Sequence, residues 1–133
     1  MNILFIEPHV YIPQLYGGVQ ASTDQLCHAL IKKGHRVAVL AGIRHGGLFA
    51  WKALIKMKIS EKLFHQKVSR DTGLGYPVWR SWFLDDVVEY VAKKEKPDLI
   101  VAMTGKIVPT AIAAKRTNIP IVMQLNDVAF HAH

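Results

Sequence analysis

The sequence predicts a doubly wound α/β domain, a mainly parallel Rossmann-like sheet with helices on both faces. Three observations carry this. Apolar runs recur at 3–6 (ILFI), 36–41 (RVAVLA), 99–103 (LIVAM) and 119–125 (IPIVMQL), and they are continuous, not alternating; strands covered on both sides read this way. Segments of helical period fill most of the intervals between them, with glycine or proline at their boundaries. Right-handed crossovers then wind the sheet in both directions from its first strand.

The elements follow in order. After the first strand a long loop leads to Gly17-Gly18 and a helix over 19–33, where Val19, Thr23, Leu26 and Leu30 share a stripe and Gly34 supplies the left-handed end. Cys27, beside Leu26 and Leu30, reads as a semi-buried side chain and not a reactive one. Residues 48–64 read as a helix, yet wound at about 100° per residue the apolar side chains run nearly all the way round, with Lys52 and Lys62 among them. A hairpin-like pair is expected at 66–70 and 76–80 around DTGLG. A helix over 81–95 turns Leu84, Val87, Val88 and Val91 inward, leaves Asp85, Asp86, Glu89 and Lys93 outside, and stops at Pro97. A third begins after Thr104-Gly105, holds Pro109 in its first turn, where the missing N–H is harmless, and ends near Asn118.

Length and composition bound what this domain can be. The chain has 133 residues, half of them apolar and a fifth charged, which is one domain's worth of core. It contains no run of roughly 18 uncharged apolar residues and no signal-peptide start; Cys27 alone makes neither an internal disulfide nor a zinc site. The expectation is a soluble, cytoplasmic domain with no cofactor and no metal. The net charge of +7 is uneven, because residues 42–80 hold eight bases against Glu61 and Asp71 and so carry +6. A local contact with something anionic fits this better than nucleic-acid binding. Lys52, Lys56, Lys58 and Lys62 are its candidates, which leaves open a peripheral contact at the inner face of a membrane; a solvated basic insertion has the same composition.

In a doubly wound sheet, ligands bind beyond the carboxyl ends of the strands where the winding reverses, here between the first strand and LIVAM. Three loops converge there: Glu7 to Gly18, Thr104-Gly105, and Asn126-Asp127. Glycines opening a helix let a ligand approach unpaired N–H groups at a positive dipole end, which suits a phosphate; a plain turn into the helix explains them equally well. The dinucleotide fingerprint is absent, since EPHVYIPQLYGG follows the first strand and LAG ends the second. Gly105-Lys106 does not end a P-loop, because Ile100 and Ile107 stand where glycine and a hydroxyl residue are required.

With these residues placed, GGVQASTDQLCHALIKKGHRVAVLAG (17–42) resembles the start of the family 4 glycosyltransferases of the GT-B fold. KPDLIVAMTG (96–105) and NIPIVMQLND (118–127) are similar to that family's fourth and fifth strand regions, and GYPVWRS (75–81) to its third. The resemblance implies the acceptor-side, N-terminal domain of an enzyme that transfers a sugar from a nucleotide-sugar without a metal. Gly17 and Gly18 would then face the donor's diphosphate. Glu7, Thr104, Gly105, Asn126 and Asp127 would lie on the cleft's acceptor side. Where the family commonly shows His-Asp, this chain has Asn126-Asp127, and asparagine cannot transfer a proton as histidine does. The resemblance also implies a second, nucleotide-binding domain beyond residue 133, little activity from these residues alone, and self-association through a sheet edge left open. The alternative is a stand-alone binding module for a phosphorylated ligand or protein partner.

Other residues have plainer readings. His35 belongs to the turn into the second strand, and Asp85-Asp86 to a solvated helix face. His131 and His133 are two residues apart without a third ligand. Trp51, Trp79 and Trp82 read as packing residues, with a bilayer interface as the other option for Trp51.

Overall fold

The computed structural model describes residues 1–103 and 115–124. The chain runs β1 (Asn2–Val10), α1 (Gly18–Lys32), β2 (Arg36–Gly42), α2 (Gly47–Phe64), β3 (Ser69–Asp71), β4 (Val78–Arg80), α3 (Leu84–Glu95), β5 (Leu99–Met103) and β6 (Ile121–Gln124). These strands form one sheet in the order β3-β4-β2-β1-β5-β6. Every pairing is parallel except β3 with β4. From β1 the chain winds outward through β2 and β4, then crosses back to β5 and β6, so the reversal falls between β1 and β5 as the sequence predicts. The expected hairpin is the antiparallel pair β3–β4, with Arg70 opposite Trp79.

Continuous apolar runs have their explanation in two cores. Leu4, Ile6, Leu40 and Ile100 point to one face and pack with Val87, Val88 and Val91 of α3. Ile3, Phe5, Val37 and Val39 point to the other and pack with Cys27 of α1. The α3 stripe is the expected one, with Lys96 in the left-handed conformation (φ 50°) ending the helix just before Pro97. Gly34 (φ 91°) turns the chain out of α1 where a side chain would be strained.

Three sequence readings are corrected. The first strand does not end at residue 6: pairing with β2 resumes at Val10 and Gly42 after an irregularity, so Glu7 lies inside the strand and is fully buried. The buried stripe of α1 is Gln20, Thr23 and Cys27, while Leu26 is exposed; the polar pair is tolerated inside because Gln20 hydrogen-bonds to backbone. Trp51 is exposed and does not pack in the core, unlike Trp79. The helix expected after Gly105 is described only at 115–117, with Asn118 left-handed (φ 60°) behind it. The edge expected to self-associate falls at β6, the outermost described strand on that side.

Candidate functional site

Parallel pairing puts the carboxyl ends of β1, β2, β4, β5 and β6 at one end of the sheet. The described strands β5 and β6 therefore end, at Met103 and Gln124, at the same end of the sheet at which β1 leads to Gly17-Gly18. Thr104, Gly105, Asn126 and Asp127 themselves lie outside the described residues, as do His131 and His133.

The loop between β1 and α1 is held at several points. Tyr11 is buried, and its hydroxyl donates to the Tyr76 hydroxyl (2.7 Å), which donates in turn to Asp24 Oδ1 (2.7 Å). His28 Nε2 closes on the same carboxylate at 3.3 Å. Burial first, and then the Asp24 charge, push the Cys27 thiol up to about 12, so it stays protonated and inert; burial likewise raises both tyrosines. Gln14 and Arg44 clamp the loops after β1 and β2 together, Gln14 Nε2 donating to the Arg44 carbonyl (2.7 Å) and the Arg44 N–H to Gln14 Oε1 (2.9 Å). The fully buried Arg80, at the carboxyl end of β4, donates to the Ile12 carbonyl and to Asp71 Oδ2 (2.7 Å), with its guanidinium 4.7 Å from the Phe49 ring centroid. Counted at the sequence level as part of the basic segment, Arg80 is an internal ion pair and adds nothing to its surface field.

These ties deliver Gly17 and Gly18 to the head of α1. Gln20 makes the delivery local: its Nε2 donates to the Val10 carbonyl (2.9 Å) and its Oε1 accepts from the Gly17 N–H (3.2 Å). Neither glycine is needed for a positive φ, Gly17 being extended (φ −100°, ψ −174°). Their roles differ in space. A Cβ on Gly17 would meet Gln20 Oε1 at 2.9 Å, whereas one on Gly18 would meet nothing within 4 Å. Gly17 is the N-cap of α1, so this Gln20 bond is the side-chain half of a capping box, and the first turn holds no acid. Among the described residues, space is thus open where a Gly18 side chain would stand, beside the positive end of the α1 dipole.

Glu7 is the second polar group at this end of β1. One carboxylate oxygen accepts from the His9 N–H (3.3 Å), and the other is buried with no partner among the described residues. Burial raises its affinity for a proton. Lys52, Lys56, Lys58 and Lys62 are all exposed along α2. A cavity of about 230 Å³ bounded by His35, Arg36, Gly75 and Pro97 lies at the opposite, amino end of the sheet and is not part of the site. Among the described residues no three side chains could hold a metal ion.

A doubly wound sheet with a Gly-Gly helix head at the reversal of winding defines the class: Rossmann-like α/β domains, whose ligand sites lie at the strand carboxyl ends. Within that class the chain matches the model of Glycosyltransferase Family 4 over residues 16–132, nearly its whole length, and it belongs to that family. It is thus a glycosyltransferase domain, with sugar donor and acceptor as its kinds of partner. No curated protein matches it.

Proposed function

We propose that this chain is the acceptor-side domain of a glycosyltransferase that uses a nucleotide-sugar, with the donor's diphosphate seated at Gly17-Gly18. The observation that carries the reading is the head of α1, whose first turn holds no acid and which is open where a Gly18 side chain would stand. Fixed N–H groups and the helix dipole would stabilise the charge that develops as the nucleoside diphosphate departs, with no metal required. Thr104, Gly105, Asn126 and Asp127 are assigned to the acceptor side of the cleft, Asn126 and Asp127 positioning the acceptor by hydrogen bonds, whereas Glu7, fully buried within β1, does not line it. The base and ribose of the donor are read by a second domain, and these 133 residues alone hold it weakly. Family membership favours this reading over a stand-alone binding module.

Titration by NMR tests it on the chain itself. Inorganic pyrophosphate should move the amide signals of Gly18, Val19 and Gln20 most, with affinity in the millimolar range typical of a bare helix head. Gly18→Ala, which meets no atom in the fold, should leave the spectrum native and weaken that binding severalfold. Shifts centred elsewhere would end the assignment. Micromolar binding of uridine, guanosine or adenosine diphosphate sugars by the chain alone would favour the binding module instead.

A further inference from the structure

We infer that the outer face of α2 docks on an anionic lipid bilayer. This rests on α2 alone and stands apart from the sugar-transfer reading. The helix is apolar around most of its circumference because it carries two apolar faces of different kinds. The side toward the protein buries Ala50, Ala53 and Met57 fully and Phe49 and Leu54 in part, the Phe49 ring lying against the Arg80 guanidinium. The opposite side shows large apolar side chains, with Leu48 67%, Trp51 61% and Leu63 64% exposed, and Ile55 and Ile59 exposed between them. Wound at about 100° per residue, these five fall within an arc of about 120°. Lys58 borders that arc on one side and Lys56 on the other, while Lys52 and Lys62 lie inside it. All four lysines are exposed.

Each candidate occupant makes a different demand on such a face. Water disfavours a continuous stripe of isoleucine, leucine and tryptophan. A second copy would bring the same four lysines, against the single Glu61, into the interface, and like charges across a desolvated contact are repulsive. A bilayer with anionic headgroups satisfies both components, because the stripe enters the acyl boundary while the lysine stems lie along it and their ammonium groups reach the phosphates. Tryptophan belongs at that boundary. Crossing the membrane is excluded for α2, since no described helix is long and apolar enough to span one. Because α2 starts just after β2 ends, docking brings the carboxyl end of the sheet close to the lipid surface.

Co-sedimentation of the full chain with vesicles, without substrate, tests this. Vesicles of equal parts phosphatidylcholine and phosphatidylglycerol should bind it, binding should fall with salt, and phosphatidylcholine alone should bind far more weakly. Changing Lys52, Lys56, Lys58 and Lys62 to Gln should lower the partition coefficient at least tenfold, since each basic residue near such a surface is worth about fivefold. Brominated phosphatidylcholine in the mixed vesicles should quench tryptophan emission, and Trp51→Phe should abolish most of that quenching while preserving binding. Equal binding to neutral and anionic vesicles, quenching that survives Trp51→Phe, or no binding at all overturns the proposal. A dimer in sedimentation that Ile55→Lys dissociates would assign the face to a second copy instead. None of these outcomes bears on pyrophosphate at Gly18, so either reading can fail without the other.

Discussion

Two helices of this domain, α3 and α2, relate to the sheet in opposite ways. α3 buries Leu84, Val87, Val88, Val91 and Ala92 and turns Asp85, Asp86, Lys93 and Lys94 outward. Its acids stand in the first turn and its bases in the last, where the helix dipole favours each. Everything about α3 is accounted for by the protein it belongs to. α2 is longer yet fully buries only Ala50, Ala53 and Met57 and leaves Leu48, Trp51, Ile55, Ile59 and Leu63 outside. An apolar residue in a sequence is therefore a report of burial somewhere, and the fold decides whether that somewhere lies within the chain.

Substitution breaks or sharpens the comparison. The largest effect belongs to α3: Val91→Asp places an unpaired charge at a fully buried position and should cost at least about 4 kcal/mol in urea denaturation, enough to unfold a marginal domain. Arg80→Met should cost about 3 kcal/mol, because it strands the Asp71 carboxylate and the Ile12 carbonyl. Glu7→Gln should act in the opposite direction. Burial raises the folded-state pKa of Glu7 above its ordinary value of 4.5, so the native state holds the proton more tightly and stability is lost as pH rises from that point. Thermal melts of wild type and Glu7→Gln should coincide below about pH 4 and diverge above it, the variant being the more stable at pH 7. The smallest effect belongs to α2, where Ile55→Asn should change stability by less than about 0.5 kcal/mol. A loss at Ile55 as large as that at Val91 would mean that the outer face of α2 is covered within the folded chain.

Much of this architecture was legible in the residues, and the failures share a cause. RVAVLA and LIVAM announce strands covered on both sides because burial on two faces leaves no position for a polar side chain. The reversal between β1 and β5 followed from the order of elements alone. Glu7 was misplaced because β1 extends only where β2 is present to pair with it, at Val10 and Gly42. The α1 stripe was read from apolarity, and so Leu26 was chosen over Gln20, whose burial depends on a carbonyl ten residues earlier in the chain. Arg80 was counted as surface charge although Asp71 neutralises it inside, a pairing that only the β3–β4 register reveals. At the site, the Gly-Gly pair is visible as a pair, but the difference between its members is not: Gly17 makes room for the Gln20 side chain, whereas a side chain at Gly18 would meet no atom of the fold.

The bonds that pin the β1–α1 loop have a further consequence. Arg80 holds the Ile12 carbonyl, Gln20 the Val10 carbonyl and the Gly17 N–H, and Gln14 the loop after β2. The loop's conformational entropy is thus already lost when the domain folds, and an anion arriving above Gly18 has no chain left to order. On the proposed reading, association there is a docking onto a preformed seat, in which the incoming group surrenders its own freedom of motion and the protein very little.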